Sequence, residues 1–283
     1  MNRIRIIASL LVLAGLLLPA VSRADPPGRV GRLAEATGPV WLFSPGAPEW
    51  TAAPVNRPLT RGERLSTDAG VRAVVRIGST ALRLDSGSEI EFLTLDDDRI
   101  IVQLHAGSLA VAVRSPEKAD ELELLTPEGR LVLQRPGRYR LDRADGATAV
   151  TVWAGQALFE GQGSAQTLYT RQRGEFWMDR RLGDRMQYAV TEPMQDAFSG
   201  WASARDIGDD RGPSARFVSP EMTGAEDLDR HGRWEEHPEY GALWTPIAVP
   251  AGWAPYRYGQ WAWVNPWAVS YTHLRAHETK ANL

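Results

Sequence analysis

From residue 71 onward, apolar and polar side chains alternate with period two, the mark of strands with one face buried. Val71, Ala73, Val75 and Ile77 share a face, with Arg72 and Arg76 opposite. Leu82 and Leu84 flank Arg83, and Ile90 and Phe92 alternate with Glu89 and Glu91. The rhythm repeats over residues 100–104, 109–113, 122–124, 131–133, 139–141 and 150–152. Turn-forming pairs separate the runs: Gly78-Ser79, Ser86-Gly87, Ala106-Gly107, Glu128-Gly129, Pro136-Gly137 and Asp145-Gly146, then Gly161-Gln162-Gly163. Such residues accept positive φ or preset a turn, and Asp-Gly is the strongest two-residue hairpin signal. Strands this closely spaced, with no helical crossover between them, predict a mainly β fold: an antiparallel sandwich or roll.

The pattern changes after residue 178. Thr191 is placed to cap a helix whose first turn holds Glu192 and Pro193. Met194, Ala197, Phe198 and Trp201 follow at helical spacing, predicting an amphipathic helix docked on the β domain. Residues 206–214 are polar and read as a linker, so 179–230 is a short helical connector. From residue 231 aromatics dominate. Six of the eleven tryptophans lie between 234 and 267, and His231-Gly232-Arg233-Trp234 returns 27 residues later as Tyr258-Gly259-Gln260-Trp261. This predicts a small Trp-rich repeat module over 231–269. The string Ser270-Tyr271-Thr272-His273-Leu274-Arg275-Ala276-His277-Glu278-Thr279 breaks that composition. It is similar to a translated sequencing-library adapter, so 270–283 is expected to be a non-native tail.

The N-terminus fixes a location. Arg3 and Arg5 precede an apolar or small-residue run over residues 6–18, and Ser22-Arg23-Ala24 supplies a small-x-small exit. This is the layout of a secretory signal peptide over 1–24, cleaved between Ala24 and Asp25. The run is too short for the roughly 20 residues of a spanning helix. No later segment is apolar enough to span, so the mature chain is expected in the periplasm or secreted.

Composition narrows the chemistry. There is no cysteine, which removes thiolate metal sites, thiol nucleophiles and disulfides. The formal charge is −3, and because the leader holds three arginines and no acid, the mature chain lies near −6. Its basic residues are interspersed with acids, which excludes the basic stripe a nucleic-acid partner needs.

Catalytic patterns are weak. His105 is the one histidine of the β domain and shares a polar face with Arg99 and Gln103. No Gly-x-Ser-x-Gly elbow or phosphate-cradling loop occurs. Asp96-Asp97-Asp98 reads as a solvated turn. His273 and His277 lack the intervening glutamate of the zinc-protease pattern, and Asp227, Asp229 and Gly232 only echo a calcium loop. No catalytic residue, metal or cofactor is assigned. The residues best suited to contact a ligand are Trp244, Trp253, Tyr256, Arg257, Trp261 and Trp263, where flat aromatic faces stand beside a guanidinium.

Several stretches carry a family resemblance. They are Leu59-Thr60-Arg61-Gly62-Glu63-Arg64-Leu65-Ser66-Thr67, Val71-Arg72-Ala73-Val74-Val75-Arg76-Ile77-Gly78 and Val102-Gln103-Leu104-His105-Ala106-Gly107-Ser108-Leu109. Leu82-Arg83-Leu84, Pro136-Gly137-Arg138-Tyr139-Arg140-Leu141 and Val150-Thr151-Val152-Trp153-Ala154-Gly155 complete the set. Together they resemble the periplasmic domain of the FecR family, here expected over 25–178. The aromatic unit over residues 240–263 is similar to an uncharacterised Trp-rich domain that follows FecR-like domains in exported bacterial proteins. FecR proteins sense a periplasmic signal and relay it across the inner membrane to a sigma factor, through a cytosolic segment and a span ahead of the β domain. Here a signal peptide stands in that place, so the resemblance implies a periplasmic interaction domain detached from that wiring. The expectation is a non-enzymatic binding or signalling protein whose partner is an envelope protein. The alternative is a binder of cell-wall glycan or other envelope carbohydrate, with the tryptophans as stacking platforms.

Overall fold

Seventeen short strands cannot each close a core alone, and the chain solves this by folding hairpins alternately into two layers. A computed structural model describes residues 29–250 except 48, 180, 182, 184, 220 and 223, together with the backbone of residues 260–264 and 268–272. It divides into two compact units, residues 1–211 with 218–224, and residues 212–217 with 225–283. The segment expected to be a signal peptide, residues 1–24, lies outside the described residues.

In the first unit, sheet I runs in the order β4 (Pro58–Leu59), β1 (Gly31–Ala36), β6 (Ala73–Ile77), β7 (Thr80–Leu84), the second half of β9 (Ile100–Val113), β12 (Gly137–Ala144), β13 (Ala147–Ala154), β16 (Gln172–Asp179) and β17 (Arg185–Thr191). Sheet II runs β3 (Thr51–Ala52), β2 (Val40–Phe43), β5 (Arg64–Thr67), β8 (Glu89–Leu95), the first half of β9, β10 (Leu122–Thr126), β11 (Gly129–Leu133), β14 (Gln156–Gly161) and β15 (Ser164–Tyr169). The inward side chains of both sheets merge in one core. Leu33, Val75, Leu82, Val111 and Val150 come from sheet I, and Leu65, Phe92, Leu124, Leu131 and Phe159 from sheet II. Phe159 stacks on Phe176 of the opposite sheet with ring centroids 4.1 Å apart. The mainly β sandwich or roll read from the sequence is the observed fold.

Four local readings need correction. Ala106-Gly107 is not a turn between strands but a bend inside β9, which crosses from one sheet to the other there. A register slip opposite β8, where Glu89 faces Ala106 and Ile90 faces Leu104, leaves His105 as the extra residue of a bulge. Gly107 has φ +81°, and a Cβ there would lie 2.5 Å from Ser88 Cα. No other residue fits. Second, not every pair is antiparallel. Helix α1 (Pro116–Glu121), capped by Ser115, returns the chain so that β10 runs parallel to β9, Leu122 opposite Ile100.

Third, β6 and β7 are not half-buried but buried on both faces. The cover is helix α2 (Ala197–Arg211), and this moves the helix boundaries read from the sequence. Thr191 ends β17 and caps nothing. The cap is Asp196, whose carboxylate accepts the Ser199 N–H at 2.7 Å while the Ser199 hydroxyl accepts the Asp196 N–H at 2.8 Å. That reciprocal pair is a capping box with serine in place of glutamate. Phe198 buries as the spacing predicted, with Trp201 half-buried beside it, but Met194 is 72% exposed and Ala197 is exposed as well, while the unpredicted Ala202 is buried. Fourth, residues 206–211 are helix rather than linker. Sheet I also continues past residue 178 through β17, beyond the expected end of the β domain.

In the second unit, the 3-10 turn Pro213–Arg216 and helix α3 (Ala225–His231) precede a hairpin of β18 (Gly232–His237) and β19 (Gly241–Pro246), with Trp234 opposite Trp244. A further hairpin pairs β20 (Gln260–Val264) with β21 (Ala268–Thr272), Trp261 opposite Tyr271. β21 includes the first residues of the segment expected to be foreign.

Candidate functional site

Alternation places arginines on the outer face of sheet I, where solvent would ordinarily receive them. Instead α2 lies over them. Its acids Asp206, Asp209 and Asp210 fall at i, i+3 and i+4, one helix face. Arg83 of β7 is 1% exposed, forms an ion pair with Asp206 at 2.8 Å and donates to Asp209 at 3.0 Å. Arg76 of β6, 6% exposed, also pairs with Asp209. Arg138 reaches Asp210 at 2.8 Å and Asp206 at 3.5 Å, and Arg114 reaches Asp210 at 3.1 Å. At the other end Arg140 pairs with the capping Asp196 at 2.7 Å. Arg72 and Arg205 lie over the Trp201 ring at 5.3 and 4.0 Å.

Burial dominates the electrostatics. It pushes the Arg83 guanidinium below its usual range, against the pull of Asp206. It also pushes the Asp206 carboxyl, 3% exposed, above the ordinary carboxylate range despite Arg83, Arg138 and Arg114. At Asp196 the balance is reversed: burial raises, but the Ser199 N–H and Arg140 outweigh it and hold the carboxyl low. The Arg83–Asp206 pair is therefore a desolvated lock, in which geometry and partner count matter more than attraction.

Beside this lock is a cavity of about 490 Å³ lined by Arg138, Trp153, Arg171, Glu192, Ser203 and Asp206. Two backbone irregularities build its wall. Arg138 pairs with Ala154 and Tyr139 with Val152, so Trp153 is the unpaired residue of a β-bulge. Arg171, between β15 and β16, has φ +67°, and its N–H donates to the Val152 carbonyl at 2.7 Å. Only Asn56, Asp145 and Arg171 among the described non-glycine residues have positive φ, and arginine is the one for which it is uncommon. The Trp153 indole N–H is buried without a hydrogen-bond partner, and Arg171 makes no ion pair among the described residues.

The ligand candidates read from sequence lie elsewhere. Trp244 is half-buried, donates to the Leu228 carbonyl at 3.0 Å, and covers Gly232 so closely that a Cβ there would sit 2.3 Å from the indole. Trp234, facing it across the hairpin, donates to the Ser214 hydroxyl at 2.8 Å and stacks on Phe217. Trp261 and Trp263 lie on β20, described by backbone alone. Trp253, Tyr256, Arg257, His273 and His277 lie outside the described residues. Asp229 accepts from the Ser214 N–H at 2.9 Å. His105, read as solvated, is half-buried and pairs with Glu91 at 2.8 Å. The Asp96 carboxylate accepts the Asp98 and Arg99 N–H groups, a polar turn as expected.

Residues 63–158 match the FecR protein family. This stretch is a FecR domain. It takes in β5 to β13, the arginine face and Trp153, and FecR proteins are regulatory rather than enzymatic and typically periplasmic. Residues 225–280 match DUF6600, a family of unknown function, so that match runs across the segment expected to be foreign. No curated protein matches the chain. Two crystal structures of a candidate anti-sigma factor from Parabacteroides distasonis ATCC 8503 are similar at low identity. One is 14% identical with TM-score 0.40, covering 49% of this chain, which spans 64% of that chain's length. The other is 13% identical with TM-score 0.39, covering 65% of this chain and 99% of its own. Among the described residues no helix is long and apolar enough to cross a membrane.

Proposed function

We propose that this is a non-enzymatic binding and signalling protein of the periplasm, which engages an envelope partner through its FecR domain. The FecR match over residues 63–158 carries the reading. A surface suited to the task is present. β17 pairs with β16 alone among the described residues, and Tyr188, Val190 and the neighbouring Trp177 are exposed on these two strands. An edge strand with unpaired backbone groups and apolar side chains takes an added strand from a partner.

The test is a photo-crosslinking residue at Tyr188 of the exported full-length protein, followed by fractionation. The expected result is a discrete protein adduct in the periplasmic fraction, lost on Val190→Pro. A chain found in the cytosol, or no adduct from any exposed position of β17, contradicts the proposal.

The second reading, cell-wall glycan binding by the tryptophan-rich unit, is favoured by the recurrence of an aromatic pair in both hairpins, Trp234 with Trp244 and Trp261 with Tyr271. Retention on purified sacculi that falls on Trp253→Ala supports it. Absence of retention removes it.

A further inference from the structure

We propose that the cavity beside Trp153 is a binding site for a small acidic sugar. This goes beyond the reading above, since it concerns a different surface from β17 and holds whichever macromolecule the edge strand meets.

The geometry points to a ligand in three ways. First, the cavity volume of about 490 Å³ falls within the range of small-molecule sites, and most of its lining side chains are polar or charged. Second, two separate departures from regular strand geometry converge on it and are tied together by the Arg171 N–H to Val152 carbonyl bond. The bulge turns the Trp153 indole out of the sheet's alternation, and the left-handed backbone at Arg171 aims a guanidinium at the same space. Bulges beside binding sites re-aim side chains, and strained residues persist where the surroundings over-determine them. Third, the cavity carries an unused recognition group: the guanidinium of Arg171, exposed at the wall and without an ion pair among the described residues. The other arginine in the wall, Arg138, is already held by Asp210 and Asp206.

Those groups specify the ligand chemistry. Arg171 supplies two parallel N–H donors for a carboxylate. Glu192, Gln195 and Ser203 offer acceptors and donors suited to hydroxyl and amide groups. Trp153 offers a ring edge and face for a saturated ring. A carboxylate on a hydroxylated ring satisfies all of them, whereas a simple dicarboxylate leaves the indole and Ser203 unused.

Titration calorimetry on the full-length protein with N-acetylmuramate, glucuronate, N-acetylglucosamine and glutamate tests the site. Saturable binding of at least one of the two sugar acids is expected. Loss of a charge-assisted hydrogen-bonded pair weakens binding roughly tenfold or more, so Arg171→Gln should do so with an unchanged melting temperature. N-acetylglucosamine, lacking the carboxylate, should bind about tenfold more weakly or not at all by the same reasoning. Ser203→Ala removes a hydroxyl from the wall and should weaken binding severalfold. No saturable binding of either acid, wild-type affinity in Arg171→Gln, or glutamate binding as tightly as the sugar acids each overturns the proposal. None of these outcomes bears on crosslinking at Tyr188.

Discussion

Replacing Asp206 by alanine removes one of the two carboxylates that hold the buried Arg83, leaving Asp209 at 3.0 Å as its only remaining acid partner in the lock. Breaking a buried ion pair on one side costs about 3–5 kcal/mol. Because Asp209 remains, the low end, about 3 kcal/mol, is expected. For a unit of this size each kcal/mol lowers Tm by roughly 2–4 °C, so a fall of about 6–12 °C follows. The double variant Arg83→Met, Asp206→Leu should behave differently. Burial already works against both charges, lowering the Arg83 pKa and raising that of Asp206, so the pair itself adds little net stability. Apolar side chains of similar size should bring the double variant to within about 1 kcal/mol of wild type. Urea unfolding of the two single variants and the double variant measures the coupling directly. If Asp206→Ala costs under about 1 kcal/mol, or if the two single losses simply add, the desolvated-lock reasoning is refuted.

The same carboxylates predict a pH signature of opposite sign. Asp206 is raised in the folded state, so its contribution favours folding below the ordinary carboxylate pKa and is lost as pH rises through its raised value. Asp196 is lowered, so its contribution is present above the ordinary value and lost as pH falls through its depressed one. As acid is added, wild type should gain on Asp206→Asn while pH falls from the raised Asp206 value to the ordinary carboxylate value, and lose on Asp196→Asn below that ordinary value, read from thermal melts of each pair. Gly107→Ala, with a Cβ forced to 2.5 Å from Ser88 Cα at φ +81°, should cost more than about 2 kcal/mol in urea unfolding. Arg171→Gly should relieve its left-handed backbone and stabilise by about 1 kcal/mol while abolishing sugar-acid binding; a destabilised or still-binding variant contradicts the site.

The layered β fold was legible because each strand's apolar set is a local property of the chain. Leu82 and Leu84, or Val150 and Val152, announce an inward face without knowledge of any neighbour, and all four are in the core. Asp145-Gly146 likewise reads as a two-residue turn, and both residues take positive φ. The arginine face was not legible, because Arg76 and Arg83 look solvated until something covers them. The cover was hidden in turn, since residues 206–211 contain a glycine and three acids, unfavourable for an isolated helix. Only tertiary pairing with distant arginines makes Asp206, Asp209 and Asp210 a docking face. Spacing did place Phe198 and Trp201 correctly, although Thr191 misplaced the cap by five residues; Asp196 and Ser199 form a capping box with serine in the usual glutamate position. Trp153 carried a signal that went unread. It sits at the end of an alternating run where a bulge re-aims it, and no single-strand pattern reveals which partner strand lacks the matching residue. Tryptophan enrichment drew attention to Trp244, whose ring covers Gly232 of its own hairpin and whose N–H is taken by the Leu228 carbonyl of α3.

Hydrogen exchange of the intact protein tests most directly that α2 seals the arginine face of the FecR domain. Amides of residues 201–211 should be protected to nearly the same free energy as those of β7, because opening the helix strands Arg83 and Arg76. Exchange of that segment at the rate of a linker, with β7 still protected, would contradict it.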